Sequence, residues 1–377
     1  MPWQEVSIMS QRREFVMFAQ AEEANLSALC KRYGISRKTG YKWLRRSGAE
    51  GAAGLQDRSR RPRHTRNKTA DDVEKAVVEL RRTHPAWGAR KLRTRLKTLG
   101  QADVPAVSTV HGILQRHGLI DPNAVAPQHA WQRFEHAAPN HLWQMDFKGH
   151  FALQQARCHP LTVLDDHSRF SLCLRACADE TGNTVQTQLT STFEQYGLPD
   201  AMTMDNGAPW GADADHPYTA LTLWLMRLFI RVTHSRPYHP QTQGKDERFH
   251  RTLKAEVLRG PPFRDLAHAQ LRFDAWRTVY NLERPHEALG QQVPASRYRP
   301  SVRAFPSTLP AIEYGPDDLV RKVQCQGEFS FHGHTLRVSN CFHGYPIALR
   351  PTPEDGKFSI HFCATRIGFV DLLNPNP

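Results

Sequence analysis

Three acidic residues stand at positions where a catalytic metal site could form: Asp146, Asp205 and Glu247. Asp146 comes late in a predicted strand, Asp205 directly follows a short apolar strand, and Glu247 lies in the first turn of a predicted helix. Carboxylate oxygens are the ligands that Mg²⁺ prefers, and a site with few protein ligands leaves room for water and phosphate oxygens. Two such ions about 4 Å apart can activate an attacking oxygen and stabilise a leaving one. The three acids therefore predict two-metal phosphodiester chemistry, with Mg²⁺ as the natural ion and Mn²⁺ as a substitute.

A sheet must bring these acids together, and the pattern over 139–300 predicts one. Three strands are followed by helix, strand, helix, strand and two helices, which predicts an α/β core with a mixed five-stranded sheet covered on both faces. In such a sheet the first and fourth strands can lie side by side in parallel. Asp146 and Asp205 then meet at the carboxyl edge, where the sites of α/β proteins form. We assign Asp146 as the bridging ligand, Asp205 to one ion and Glu247 to the other.

The predicted helix at 243–257 is strongly basic around its acid. Glu247, Arg251 and Lys254 share one face at helical spacing. Four basic residues of this helix are predicted to hold the DNA backbone beside the metals: Lys245, Arg248, Arg251 and Lys254. The alternative is an exposed helix with surface salt bridges.

Neighbouring acids are predicted to stay outside the metal site. Asp246 points about 100° away from Glu247 on a helix, which indicates a solvated surface acid. Asp165 and Asp166 are adjacent on a strand end and are interpreted as turn-forming. Trp210 could either wedge against an unstacked base or pack in the core, and His286 is interpreted as structural.

The net charge of +13 is unevenly placed along the 377 residues. Residues 1–120 contain 24 Lys and Arg against 11 Asp and Glu, whereas residues 121–377 contain 26 basic and 26 acidic residues. The whole excess lies in the N-terminal third, which predicts a region that binds a polyanion.

Two predicted helix-turn-helix domains account for this basic third. The first, over 1–49, has a tight turn at Gly34 and a basic helix capped by Ser36. Its predicted DNA contacts lie at the start of that helix: Ser36, Arg37, Lys38, Tyr41 and Lys42. The second, over 70–120, repeats the pattern with these candidates: Ser108, Thr109, His111 and Gln115. An ordinary three-helix bundle with a basic surface is the alternative for the first domain.

Residues 50–69 between these domains read as a basic linker that could lie in a narrow minor groove. Its arginines are predicted DNA contacts: Arg58, Arg60, Arg61, Arg63 and Arg66. A plain solvated linker is the alternative. A second linker is predicted over 121–138, and six short strands over 301–377 predict a small β-barrel or sandwich.

The seven cysteines are scattered and contain no C-x-x-C pair, which favours a reducing compartment and excludes a disulfide scaffold. No apolar run reaches membrane-spanning length, and the N-terminus lacks a signal-peptide core. We expect a soluble protein of the bacterial cytoplasm, associated with the nucleoid and without a membrane partner.

The segment 235–254, which ends in Glu247-Arg-Phe-His-Arg-Thr-Leu-Lys254, resembles the integrase core of DDE transposases. The IS481 and IS3 insertion-sequence families are the most similar, IS481 more so. Four further motifs carry the resemblance: Trp143-Gln-Met-Asp146, Leu164-Asp-Asp-His-Ser-Arg169, Met204-Asp-Asn-Gly207 and Tyr280-Asn-Leu-Glu-Arg-Pro-His-Glu-Ala-Leu289. The stretch between Asp205 and Glu247 is longer than is common in the wider superfamily, and the His/Cys zinc module of retroviral integrases is missing.

The resemblance implies an RNase H-like core with the metal ligands Asp146, Asp205 and Glu247. It implies Mg²⁺-dependent cleavage at terminal inverted repeats and strand transfer into target double-stranded DNA. Because two ends must be held together, we expect a homo-oligomer of two or more copies. Two alternatives are a DNA-binding repressor with an inactive integrase core and an RNase H-type nuclease that acts on RNA–DNA hybrids.

Overall fold

The computed structural model describes residues 7–59, 69–121, 135–211, 217–234 and 244–373. The chain divides into two compact units, Met1–Lys68 and Thr69–Pro377. None of the helices within the described ranges is both long and apolar enough to cross a membrane.

The first unit is a bundle of three helices: α1 (Ile8–Ala19), α2 (Leu26–Arg32) and α3 (Arg37–Glu50). Each helix begins at a polar cap, and the predicted cap Ser36 accepts a hydrogen bond from the backbone N–H of Thr39 at 3.2 Å. Gly34 in the α2–α3 turn has a φ of 64°, as the sequence predicts for a helix-turn-helix. Phe15, Cys30 and other apolar side chains form its core.

The first unit also includes part of the segment predicted as a linker. Residues Gly51–Leu55 form a 3₁₀-helix, and Leu55 is buried in the core of this unit. The linker therefore starts later than residue 50, because Leu55 supplies apolar surface that the three helices need.

The second unit opens with three helices: α4 (Asp71–Thr83), α5 (Ala89–Thr98) and α6 (Val107–Arg116). Their core is built from residues at helical spacing, among them Val77, Leu92 and Ile113, each fully buried. Val279 of the catalytic-core region packs against this cluster. Two ion pairs, Arg95–Glu283 at 2.5 Å and Arg90–Glu287 at 2.8 Å, join the same regions.

A mixed sheet lies at the centre of the second unit. Its strands are β1 (Trp143–Phe147), β2 (Phe151–Ala152), β3 (Arg157–Asp165), β4 (Ser171–Cys177), β5 (Ala201–Met204) and β6 (Arg231–His234). Strands β1, β3 and β4 form an antiparallel meander, while β1, β5 and β6 are parallel. The five predicted strands are present, and the two-residue β2 is a sixth that the sequence pattern missed.

Helices cover both faces of the sheet, as predicted. They are α7 (Gly182–Tyr196), α8 (Ala220–Arg227), α9 (Gly244–Leu253) and α10 (Leu266–Leu282), with a π-helical turn (Lys254–Leu258) that continues α9. Trp143 and Met145 of β1 pack on the side of α7 and α8. Successive strand residues alternate, so Gln144 and Asp146 face the side of α9 and α10.

The C-terminal strands form an antiparallel sheet and a separate hairpin. The sheet has the order β12 (Thr365–Asp371), β11 (Lys357–Phe362), β10 (Pro346–Pro351) and β7 (Leu319–Lys322), and the hairpin joins β8 (Glu328–Phe331) to β9 (His334–Arg337). Among the strands that the structure describes, no pairing closes this sheet into the barrel that was one of the two predicted forms. Their apolar side chains bury Leu223 and Met226 of α8, so this region packs directly on the core.

The segment just after residue 300 packs on the core, although the predicted boundary separates them there. Arg303 donates to the carbonyls of Pro199 and Leu228, and Phe305 packs near Phe193. Gly197 has a φ of 76° and leaves no space for a Cβ beside the carbonyl of Arg303. The core therefore extends beyond residue 300.

Candidate active site

The register of two parallel strands brings Asp146 and Asp205 to one edge of the sheet. Gln144 of β1 pairs with Thr203 of β5. Asp146 and Asp205 each lie two residues beyond this pair, so they share a level and a face of the sheet. The parallel pairing of these two strands is present, as the sequence predicted, and the role of the two acids as metal ligands stays a prediction.

Asp146 is held in a mostly buried environment. Burial, and after it the negative charge of Asp205, raise the pKa of this carboxyl to about 7. The hydroxyl of Thr162, directly opposite on β3, donates to the backbone carbonyl of Asp146 at 2.9 Å. A mostly buried carboxyl with a second acid beside it fits a bound cation, whose positive charge would favour the ionised form of Asp146.

His250 of α9 completes this arrangement. Its Nε2 lies 2.8 Å from the Thr162 hydroxyl oxygen, whose single proton is already used on the Asp146 carbonyl. Nε2 must therefore carry the proton and donate, which leaves the lone pair of Nδ1 facing Asp146 Oδ2 at 3.7 Å. Burial, and after it the positive charge of Lys148, lower the pKa of His250 to about 3, so the imidazole is neutral.

The structure overturns the prediction for Asp246. This residue is only 1% exposed, and it lies one helical turn before His250 on the face of α9 that packs on the sheet. Burial raises its pKa well above the ordinary value, and Asp146 and nearby acids raise it further. Asp246 shares its face with Phe249 and Leu253, whose apolar contacts turn it inward, so it is not a solvated surface acid.

Glu247 lies on the other side of α9. It is exposed, as are Arg248, Arg251 and Lys254 of the same helix. Across the described ranges, no three His, Cys, Asp or Glu side chains already stand in an arrangement that could hold a metal ion. Asp146 and Asp205 are thus brought together, whereas the structure leaves Glu247 on the exposed face with its basic neighbours.

Lys245 differs from the other three predicted backbone contacts. Its ammonium forms an ion pair with the buried carboxylate of Asp166. Asp166 also accepts from Gln144 Nε2 at 2.8 Å and from the backbone N–H of His136 at 2.9 Å. Lys245 is therefore tied to the sheet and is not available as the DNA contact that was predicted, because moving it would strand a buried carboxylate.

In the turn after β3, Asp165 has the turn-forming role that was predicted. Asp165 accepts hydrogen bonds from the backbone N–H and the hydroxyl of Ser168 and from the backbone N–H of Asn140. These bonds hold the 165–168 turn closed. Asp166 instead pairs with Lys245 of α9, and its place next to Asp165 in the sequence did not indicate this contact.

Two aromatic positions have packing roles. Trp210 is 3% exposed and stacks on Phe147 with ring centroids 5.6 Å apart, so the structure favours the core alternative over a wedge against a base. His286 is buried, packs edge-on against Tyr280 and donates its backbone N–H to the carbonyl of Gln292. It is structural, as predicted.

The predicted DNA-reading residues are distributed over both units. In the first unit Ser36, Arg37, Lys38 and Tyr41 are exposed at the start of α3, while Lys42 is half-buried with its ammonium 4.2 Å from the centroid of the Trp43 ring. In the second unit Ser108, His111 and Gln115 are exposed on α6 and Thr109 is half-buried.

The predicted arginine arm is described at one position only. Arg58 is exposed and pairs with Glu50. The remaining arginines of the arm lie outside the described residues: Arg60, Arg61, Arg63 and Arg66.

Sequence reasoning missed Thr162, His250 and the burial of Asp246. A signal for Asp246 was present, since Phe249 and Leu253 follow it at positions i+3 and i+7 and mark the buried stripe. The contacts of Thr162 and His250 depend on the pairing of β1 with β3, and no local pattern specifies that pairing.

Five family matches cover most of the chain. Two are described as Integrase core domain, over residues 136–240 and 228–294. A Helix-turn-helix domain matches 11–63, and a Homeodomain-like domain matches 39–114. The match over 318–377 is described as IS481 family transposase, C-terminal domain.

Curated relatives come from bacterial insertion elements. The chain is 27% identical over 225 residues to an uncharacterized protein of insertion element IS476 from Xanthomonas euvesicatoria, covering 58% of this chain and 62% of the relative. It is 28% identical over 158 residues to one of insertion element IS407 from Burkholderia multivorans, covering 42% and 55%. Protein YlbG of Escherichia coli is 38% identical over 82 residues, covering 21% and 66%. The chain thus spans roughly 55–62% of the length of the two insertion-element relatives.

Proposed function

Because the chain belongs to the integrase-core transposases of the IS481 family, we propose that it is a DNA transposase that cleaves the ends of an insertion sequence and joins them to target DNA. The observation that carries this proposal is the parallel register of β1 and β5, which leads to Asp146 and Asp205 at the same edge of the sheet. Two neighbouring carboxylates do not stabilise each other, since like charges repel. They are understandable as ligands of a hard divalent cation.

Asp146 and Asp205 would hold a divalent cation, with Glu247 as the third ligand of the family pattern and two ions in the complete site. Bound there, such an ion supplies Lewis-acid activation of the attacking and leaving oxygens. Mg²⁺ is the ion that the carboxylate donor set favours, and Mn²⁺ would substitute for it.

The residues of the chain supply the positioning. Arg248 and Arg251 of α9 and Lys254 just after it are exposed within seven residues of Glu247, and they would bind phosphates of the strand being cut. The Thr162 hydroxyl holds the backbone carbonyl of Asp146, and His250 contacts that hydroxyl in turn, so the strand that carries the carboxylate is held in place. Because the pKa of His250 is lowered by burial, its imidazole stays neutral near pH 7 and adds no positive charge that would oppose a cation.

Recognition of the terminal inverted repeats falls to the helix-turn-helix regions. Arg37, Lys38 and Tyr41 project from the start of α3, and His111 and Gln115 project from α6. Recognition at two separated helices suits a long DNA end, and joining two ends requires at least two copies of the chain. We expect this work to take place in the bacterial cytoplasm, on the nucleoid.

A strand-transfer assay tests this function. The full-length protein is incubated with Mg²⁺ and labelled duplexes that carry the inverted repeats flanking its gene, and duplexes with shuffled ends serve as the control. We expect nicks at the repeat ends and joined products from the native duplexes alone. End binding without any nicking would favour a repressor with an inactive core, and equal cleavage of unrelated RNA–DNA hybrids would favour a nuclease.

A further inference from the structure

An ion pair joins the first turn of α9 to the turn that follows β3. The Lys245 ammonium donates to the Asp166 carboxylate, and the two side chains are 18% and 2% exposed. The same carboxylate accepts from Gln144 Nε2 at 2.8 Å and from the backbone N–H of His136 at 2.9 Å. Asp166 is therefore a junction at which α9, β1 and the segment before β1 meet.

The elements that meet at Asp166 carry two of the proposed metal ligands. Gln144 precedes Asp146 by two residues on β1, so these two side chains lie on the same face of the sheet. Lys245 precedes Glu247 by two residues within one turn of α9. Because successive residues of a helix differ by about 100° in direction, fixing Lys245 also fixes the direction in which Glu247 leaves the helix. The contacts from Gln144 through Asp166 to Lys245 therefore set α9 against β1.

Apolar packing holds α9 close to the sheet without fixing its first turn. Phe249 and Leu253 are buried in the core cluster on that face, and the directional contact of His250 with Thr162 lies more than one helical turn after Lys245. Apolar contacts are not directional, so they leave a helix free to rotate or slide slightly. A charged hydrogen bond has a defined geometry, and Lys245 supplies one at the start of α9.

The Lys245–Asp166 pair is a poor source of stability, because the removal of two charges from water offsets their attraction. A geometric role explains the pair better. We propose that Lys245 and Asp166 are positioning residues, which hold the first turn of α9 so that Glu247 projects in one fixed direction relative to β1. This inference deepens the proposed function and rests on it for the role of Glu247 as a metal ligand. Neither Lys245 nor Asp166 contacts the DNA or a cation in this role.

Removing both charges together separates positioning from stability. Lys245→Met or Asp166→Asn alone strands one buried charge, so a single variant can fail to fold. The double variant Lys245→Met with Asp166→Asn strands none, and we expect its thermal melting to stay close to that of the wild type. A double variant that is as unstable as the weaker single variant would show that the pair serves folding, and the proposal would fail. Lys357→Met with Glu354→Gln is the matched control, because it removes an exposed lysine–glutamate pair.

Hydrogen exchange in EDTA reports on α9 without any reaction. We expect the backbone amides of residues 248–253 to exchange at least about tenfold faster in the double variant than in the wild type, with the amides of α10 unchanged. The matched control should leave the exchange of both helices within about twofold of the wild type. Wild-type exchange of α9 in a folded double variant overturns the proposal.

The joining of DNA ends measures the consequence for the reaction. At saturating protein we expect the double variant to join ends at least about tenfold more slowly than the wild type, with end binding within about twofold. Glu194→Gln, which removes an exposed acid of α7, is the control for the single variants. If Lys245→Met weakened end binding while Asp166→Asn did not, Lys245 would be a DNA contact and the proposal would fail. A double variant that joins ends at the wild-type rate overturns it as well.

The two measurements distinguish failure of this inference from failure of the proposed function. If the wild type joins no DNA ends, the proposed function fails, and the exchange of α9 still decides whether the pair holds the helix. If the wild type joins ends and the double variant behaves as the wild type does, the function stands and this inference fails.

Discussion

At the scale of single residues, the charge of Asp146 is the property on which the proposed chemistry depends. Its carboxyl is raised by burial and by Asp205 to a pKa of about 7, from an ordinary value of 3.8. The folded protein therefore holds this proton over a pH range in which the unfolded chain has released it. The contribution of Asp146 to stability is present below pH 3.8, declines above it and is gone above pH 7.

Asp146→Asn should therefore change stability in a pH-dependent way. The amide cannot ionise, so the variant gains roughly 4 kcal/mol on the wild type as pH rises from 4 to 7, and this gain stays constant at higher pH. Urea unfolding in EDTA at pH 5 and pH 8 measures this difference. A difference between variant and wild type that is equal at the two pH values would show that Asp146 is not buried against a like charge.

What could be predicted for single residues depended on whether the signal was local. The cap Ser36 and the turn acid Asp165 are specified by a few neighbours, and both are found as predicted. Asp246 was predicted to face solvent because only its angle to Glu247 on the helix was considered. The apolar stripe that includes Phe249 instead turns this side of the helix toward the core. Lys245 was wrong as a DNA contact because its partner Asp166 is distant in sequence.

At the scale of elements, the connection from α9 to α10 is held by a buried ion pair. In the π-helical turn, Glu256 accepts from Arg284 Nε at 2.9 Å, and the two side chains are 9% and 8% exposed. The second carboxylate oxygen of Glu256 accepts from the indole N–H of Trp276 at 2.9 Å. This network fixes the end of the helix that carries Glu247 and the basic face.

Glu256→Gln is expected to lower the free energy of unfolding by about 3 kcal/mol, because it leaves the buried guanidinium of Arg284 without a counter-charge. Guanidinium-induced unfolding at pH 7 is the measurement. Glu287→Gln is the matched control, since it removes a mostly exposed partner of Arg90 and should cost at most about 1 kcal/mol. Equal effects of the two substitutions would contradict the structural role of the buried pair.

Most helices and strands could be predicted from the sequence, because caps, glycine turns and apolar periodicity are local features. The parallel pairing of β1 with β5 followed from the order of elements, and with it the meeting of Asp146 and Asp205. The strand β2 has only two residues, which is too short to show an apolar periodicity, so it was not predicted. The interaction of Arg95 in α5 with Glu283 joins residues far apart in sequence, so the packing of α5 near α10 was not predictable.

At the scale of the whole molecule, the residues proposed for recognition and for chemistry are divided unevenly between the two units. The first unit carries α3 with its exposed basic residues, and the second carries α6 together with the integrase core. The sequence indicated separate domains, yet the second helix-turn-helix region shares a compact unit with the core and the C-terminal sheet. Packing between regions depends on the complementarity of their surfaces, and the apolar periodicity of the sequence does not predict this.

Deletion of residues 1–68 should leave a folded protein that binds DNA ends poorly. The remaining unit retains its own hydrophobic cores, so its thermal melting stays cooperative. Loss of the phosphate and base contacts of α3 is expected to weaken end binding at least about 100-fold, and to reduce the dependence of binding on salt. Fluorescence anisotropy at several salt concentrations measures both. Unchanged end binding by the truncated protein would contradict the role given to α3.

The central claim is that Asp146 and Asp205 act together in joining DNA ends. Strand transfer with Mg²⁺ on duplexes carrying the native inverted repeats is the most direct test, comparing the wild type with Asp146→Asn, Asp205→Asn and the control Glu194→Gln. We predict that each Asn variant loses at least about 100-fold in joining, that end binding is unaffected, and that the control keeps wild-type rates. Joining at the wild-type rate by either Asn variant would contradict the account.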